Sequence, residues 1–267
     1  MRELSLAEHK QYQLGILKSV ADFCDANGLR YYLAYGTLIG AVRHKGFIPW
    51  DDDIDLQMPR PDFEKFIATY KDEVYKVVDP YSDMARHSML KVIDSRTLKI
   101  ENKVKYEDGQ TMGIDIDIFP LDGQPESETL YEKYYNKKHR LLRKFNYIIT
   151  DVKQYSLKSK IYRIVPYLIA NLMTKNQILD KLRKINAEFD YETSKYIGAT
   201  DSMYNSIKNR NPREWYADVV ALDFEEYKFK APVGYHEILE RMYGDYMALP
   251  PEDKQVAHHS NKVYLVE

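Results

Sequence analysis

Four aspartates fall within five positions, at Asp51, Asp52, Asp53 and Asp55 in the stretch GFIPWDDDIDLQM, and the chain then returns at once to Leu56 and Met58. A run of acids is by itself the pattern of a solvated loop or a helix N-terminus. Alternation argues for more. If 53–58 is extended, Ile54, Leu56 and Met58 point to one face and Asp53, Asp55 and Gln57 to the other, so the acids line a face beside a core. A calcium loop of the EF-hand kind is excluded, because Leu56 stands where that loop needs glycine and Asp62 where it needs a bidentate glutamate.

The design returns in GIDIDIFPL, where Ile114, Ile116 and Ile118 alternate with Asp115 and Asp117. Aspartate is depleted in strands, and two strands that each carry paired acids suffer mutual repulsion. A cation relieves both. Neighbouring strands lie about 4.8 Å apart, close enough for carboxylates of the two to converge on one or two Mg²⁺ ions, with Mn²⁺ as a substitute. Such a centre suits metal-assisted phosphoryl transfer, in which the metal polarises a phosphate and lowers the pKa of an attacking hydroxyl. Nearby cations fit the same chemistry. Arg43 precedes the acidic cluster, where it can neutralise a diphosphate or simply end a helix, and Lys91 lies in a predicted strand, as an inward phosphate contact or an edge residue.

These residues need a scaffold. Ser5 and Glu8 have capping-box spacing, and Leu14, Leu17, Val20, Ala21 and Cys24 recur at helical intervals until Asn27-Gly28 stops the pattern. A buried strand is predicted over LRYYLAYG at 29–36, ending on Gly36 before a short helix in TLIGAV. A strand through Met58 leads into a helix from Pro61 to about Val74 with Phe63, Phe66 and Ile67 inward, and a short strand follows near YKVVD. SMLKVID, LKIENKV and GIDIDIFPL read as three more strands. From PESETLYEKYY to about Tyr191 the pattern is mainly helical, and the remainder is mixed. The expected class is α/β (α+β), a single catalytic domain with a core over 1–125 and a mainly helical extension over 126–267. GQPES at 123–127 is the best candidate for a boundary between them.

Composition narrows the setting. The chain has 267 residues, 44% of them hydrophobic, enough for a substantial core, and its 39 basic and 41 acidic residues leave no nucleic-acid footprint. One cysteine rules out an intramolecular disulfide framework and argues against a thiolate zinc site. MRELSLAEHK lacks the apolar core of a signal peptide, and the longest apolar run, IVPYLIANLM at 164–173, is far shorter than the roughly 20 residues of a spanning helix. A cytoplasmic protein is expected. The segment 157–175 mixes Lys158, Lys160 and Arg163 with a broad apolar face, as in a helix packed on a core or one lying peripherally at the inner face of a membrane. Pro166 kinks or restarts either version.

YGTLIGAVRHKGFIPWDDDIDLQM, then GIDIDIFPLDG, then MYGDYMALPPEDKQVAHH closely resemble the LicD family of phosphocholine transferases, relatives of the fukutin-type sugar-phosphate transferases in the DNA polymerase β-like nucleotidyltransferase superfamily. The resemblance runs in order from the second strand to the C-terminus and is weakest over 125–210. It implies a small mixed sheet flanked by helices, with Gly36 and Thr37 approaching the donor phosphates. Asp53 and Asp55 then bind metal, and Asp117 matches the third carboxylate. Asp115 stands where the family often has an apolar residue, and His258 matches a terminal histidine on the substrate side. The implied reaction moves phosphocholine from CDP-choline to a hydroxyl of a lipid-linked, teichoic-acid-type glycan precursor. Two alternatives remain: transfer of ribitol or glycerol phosphate from its CDP derivative, and a GT-A-type glycosyltransferase with an Asp-x-Asp metal motif. The upstream glycine and the downstream third acid favour the nucleotidyltransferase layout. A choline-binding module would need aromatic repeats, which the sequence lacks.

Overall fold

The computed structural model of the protein describes residues 1–101, 104, 112–151, 155–201, 207–256 and 262–266. After a short strand β1 (Arg2–Glu3), helix α1 (Leu6–Asn27) opens on the capping box: the Ser5 hydroxyl accepts from the Glu8 amide, and the Glu8 carboxylate accepts from the Ser5 amide. Gly28 ends the helix in the left-handed region at φ 64, where a side chain would be strained. Leu14, Leu17, Val20, Ala21 and Cys24 are buried, as their periodicity predicts. Burial pushes the Cys24 thiol up to about 12, so at neutral pH it behaves as a small apolar side chain.

Strand β2 (Tyr32–Leu33) leads into helix α2 (Tyr35–Arg43), and β3 (Asp55–Pro59) into α3 (Arg60–Thr69). Then come β4 (Tyr75–Val78), β5 (Leu90–Asp94), β6 (Thr97–Ile100) and the longer β7 (Asp115–Gln124). The main sheet runs β2-β3-β7-β5-β4, with β3 and β7 parallel and the other pairs antiparallel. Its core face carries Ile54, Leu56, Met58, Ile114, Ile116 and Ile118, packed with α1 and Phe66 of α3 into one cluster. Alternation thus places the apolar half of both acidic stretches as expected.

Two elements are shorter than predicted. The strand expected over 29–36 pairs only at Tyr32 and Leu33, because Tyr35 turns at φ 47 and starts α2 one residue before Gly36. The helix expected to reach Val74 ends at Thr69. Tyr70 is extended and stacks on Phe66 at 4.7 Å, and the Asp72 carboxylate then accepts from the amides of Val74 and Tyr75 in a turn that competes with helix.

The back half is helical first and mixed afterwards: α4 (Glu128–Ile149), α5 (Leu157–Ala170), α6 (Lys175–Asn186), then β8 (Tyr196–Gly198), β9 (Asn211–Pro212), a β10 (Val219–Phe224) and β11 (Tyr227–Pro232) hairpin, α7 (Tyr235–Tyr243) and β12 (Lys262–Leu265). Strand β8 pairs with Asp122, Gly123 and Gln124 of β7, and β12 lies between β1 and β6. A buried ion network joins the halves. Arg60 grips Asp122 through two bonds of 2.7 and 2.9 Å and reaches Asp201 at 2.9 Å, while the fully buried Lys138 of α4 lies 2.5 Å from Asp201. Buried charges persist only when paired in this way. The result is the mixed sheet flanked by helices that the sequence implied. Among the described residues no helix is long and apolar enough to cross a membrane.

Candidate active site

The parallel register of β3 and β7 sets Asp55 opposite Asp117, and on the other flank of β7 the antiparallel β5 sets Lys91 opposite the same Asp117. A row Asp55, Asp117, Lys91 therefore crosses three strands on the face away from the main core. Lys91 lies 2.5 Å from Asp117 Oδ1 and also bonds Asp115, whose other oxygen is held by Lys99. Burial opposes charge on Lys91, but the two carboxylates overcome it and hold its ammonium well above the usual lysine range. Burial likewise opposes ionisation of Asp115, and Lys91 with Lys99 holds that carboxyl well below its usual range. Lys91 and Asp115 are thus a buried pair inside the sheet, with Lys91 directed at carboxylates where a phosphate contact was expected. Asp115 is neither exposed nor among the unneutralised acids.

The charge left over lies at the other end of the row. Asp55 is half-buried beside Asp53, Asp117 and Asp51; desolvation, then the charge of Asp53, then that of Asp117 push its carboxyl well above the usual range. Asp51 is raised to about 7, first by burial and next by the charge of Asp53, with which it shares a side-chain hydrogen bond. Asp52 is 8% exposed, and its carbonyl accepts from Gln13 of α1, which also bonds the Asp115 carbonyl, so this residue serves the backbone of the turn.

The first turn of α2 lies against these acids. The Thr37 hydroxyl accepts from the Asp55 amide at 2.8 Å, and the Ala34 amide donates to the Asp55 carbonyl, which fixes where β3 begins. Among the described residues no side chain caps the start of α2, and the positive end of its dipole lies beside Asp51 and Asp55. A Cβ on Gly36 would stand 2.5 Å from Asp51 Oδ2. That atom ends a rotatable side chain, so Gly36→Ala should leave the fold intact while displacing the Asp51 carboxylate. We expect a melting temperature close to wild type and turnover reduced about tenfold or more, checked by calorimetry beside a turnover assay; unchanged turnover would remove Gly36 and Asp51 from the site.

Two tyrosines that periodicity did not single out flank the acids. Tyr35 takes a left-handed backbone conformation that is rare for a bulky residue, its ring meets Phe119 edge-on at 5.3 Å, and Asn209 donates to its hydroxyl at 2.7 Å. Tyr243, at the end of α7, is 46% exposed, and its phenol is pushed up by desolvation and then by the charges of Asp55, Asp51 and Asp53. Tyr35, Gln57, Met242 and Tyr243 line one small pocket. A signal for Tyr243 did exist, since it stands in the last of the three blocks that carry the family resemblance.

Other expected site residues are placed differently. Arg43 ends α2, where its Nη1 donates to the carbonyls of Tyr246 and Ala248 and its Nε to His44, so it anchors the segment that follows Tyr243. His258 lies outside the described residues.

Residues 28–155 match the family model described as LicD/FKTN/FKRP, nucleotidyltransferase domain. Over their whole lengths, this chain and the lipopolysaccharide cholinephosphotransferase LicD of Haemophilus influenzae are 32% identical. The human ribitol 5-phosphate transferase FKRP is 44% identical over 52 residues, which are 20% of this chain and 9% of that one. Mannosyltransferase regulator 4 of Saccharomyces cerevisiae is 28% identical over 116 residues, 42% of this chain and 10% of the yeast protein. With a full-length relative at this identity and a family match across α2, β3 and β7, the chain belongs to the LicD/FKTN/FKRP nucleotidyltransferase family.

Proposed function

We propose that this protein is a Mg²⁺-dependent transferase that moves phosphocholine from CDP-choline to a hydroxyl of a surface-glycan precursor. The observation that carries the reading is the full-length 32% identity to a protein named a cholinephosphotransferase. The family resemblance suggests a teichoic-acid-type acceptor; the name of that relative points to lipopolysaccharide, and a sugar hydroxyl on a lipid-linked glycan is common to both.

The acids suit a hard divalent cation. Their donors are all carboxylate oxygens, and Asp51, Asp53, Asp55 and Asp117 crowd charge that Lys91 neutralises only at one end. Among the described residues, no three acid, histidine or cysteine side chains already surround one point as ligands, so the fit lies in donor type and charge. Asp53, Asp55 and Asp117 are the residues that would hold the ion. When bound, it polarises a phosphate oxygen and neutralises developing charge. The chain's own groups do the rest. The start of α2 attracts the donor phosphates, one carboxylate takes the proton of the acceptor hydroxyl, and Lys91 orients Asp117.

Choline offers no hydrogen-bond donor at its ammonium, so selection falls to aromatic faces, each contributing about 0.5 to 2 kcal/mol. We assign that role to Tyr35 and Tyr243. The second reading, ribitol phosphate transfer, is favoured by the 44% identity to FKRP, but only over 52 residues. Purified protein with Mg²⁺ and a panel of CDP-alcohols should release CMP from CDP-choline about tenfold faster than from CDP-ribitol or CDP-glycerol. Chelator should stop the release. A faster reaction with CDP-ribitol would replace choline in this reading, and release undiminished by chelator would remove the metal.

A further inference from the structure

Helix α5 turns its apolar side outward. Ile161, Val165 and Leu168 follow one another at i, i+4 and i+7, a single stripe of a helix, and are 68%, 59% and 60% exposed; Leu172 in the turn beyond is 81% exposed. Tyr162, Ile164 and Ile169 flank the stripe and are exposed as well. The opposite side holds the buried Ala170 with half-buried Arg163, Pro166 and Tyr167, and the helix rests on α4. Among the described residues, none of the side chains of α5 joins a hydrophobic cluster of the core. A core helix buries its apolar stripe, and a solvated one shows polar residues; α5 does neither.

Its charge is equally one-sided. From 152 to 179 the sequence has no Asp or Glu and carries Lys153, Lys158, Lys160, Arg163 and Lys175, in a chain whose totals are near balance at 39 basic to 41 acidic residues. An exposed apolar stripe in a wholly cationic segment is complementary to lipid tails and anionic headgroups together. The exposed Lys158 can keep its stem over the apolar region and its ammonium among headgroups, and Tyr162, 75% exposed, suits the same depth. A second copy of this chain would bring like charges together, which disfavours self-association through this face.

We propose that α5 and the turn after it form a docking surface for an anionic lipid bilayer. Docked there, the protein works where lipid-linked glycans lie, a consequence that rests on the function proposed above; the docking itself does not. The test is co-sedimentation of the full chain with phosphatidylcholine vesicles, with or without an equal part of phosphatidylglycerol. We expect binding to the anionic vesicles, weakened by salt, and little to neutral ones. Leu168→Asn with Leu172→Asn should reduce it about 100-fold, roughly tenfold for each side chain withdrawn from lipid, with the melting temperature and CMP release from CDP-choline unchanged. No sedimentation with anionic vesicles, equal binding by the variant, or a dimer in solution that the variant abolishes would each overturn the proposal. CMP release in the same samples reports the transferase separately.

Discussion

Asp55→Asn should lower CMP release from CDP-choline by at least about a hundredfold while leaving the fold as stable as before or more so. Asparagine keeps the shape of the side chain, and the Asp55 amide keeps its bond to Thr37, so no cavity opens. What disappears is a carboxyl whose ionisation is opposed by burial and by the charges of Asp53, Asp117 and Asp51. Loss of charge here relieves repulsion in the empty site, whereas the same loss removes a ligand and misaligns the reacting groups, an effect of order 10²–10³ or more in rate. Lower activity with equal or higher stability is a pairing that a structural role would not give. Asp53→Asn should follow the same pattern, and Asp117→Asn should lose as much rate but some stability as well, because Lys91 gives up one of its two carboxylates. Asp115→Asn should depart from it, with a smaller loss of rate and a real loss of stability, because Lys91 and Lys99 would lose a buried partner. Near-normal turnover by Asp55→Asn at saturating Mg²⁺ would end the assignment of this site.

The largest expected effect on stability belongs to Lys91→Met. Methionine fills much of the same volume but leaves Asp115, 5% exposed, with Lys99 alone, and leaves Asp117 without its ammonium. Removing one member of a buried ion pair strands its partner's charge in a poor solvent, which costs about 3–5 kcal/mol. Urea denaturation should register this as a lower midpoint with an unchanged slope. The double variant Lys91→Met with Asp115→Asn should recover part of the loss, since the two residues interact directly. The competing role, a phosphate contact, makes the opposite forecast: wild-type stability with reduced turnover. A Lys91→Met protein that unfolds at the wild-type urea concentration would therefore return Lys91 to the substrate side.

Much of this site was legible along the chain. Ser5 and Glu8 start α1, Gly28 stops it, and the alternating isoleucines around Asp55 and Asp117 mark strands with one apolar and one acidic face. These are local matters, in which each residue's direction follows from the period of its own element. The GFIPWDDDIDLQM block announced a charge that folding must accommodate. The tertiary partners of Arg43, whose place at a helix end the sequence allowed, and the end of α3 were not legible in this way. The partners that decide them, the carbonyls of Tyr246 and Ala248 for Arg43 and the stacked Phe66–Tyr70 pair with the Asp72 turn for α3, compete with local pattern rather than extend it.

Readable along the chain were two strands with paired acids beside apolar faces, a helix before them, and three blocks like those of the LicD family. Which acid faces which follows from strand pairing. The parallel register of β3 on β7 makes Asp55 and Asp117 neighbours, and antiparallel β5 delivers Lys91 to the same point, so one end of the row has an ammonium and the other only carboxyl groups. The tertiary structure also turned the apolar stripe of α5 toward solvent, where periodicity alone fits a core helix equally well. Periodicity states which residues share a face. What is packed against that face depends on strand register and on segments far away in sequence, and those are set by the burial and charge pairing of the whole chain.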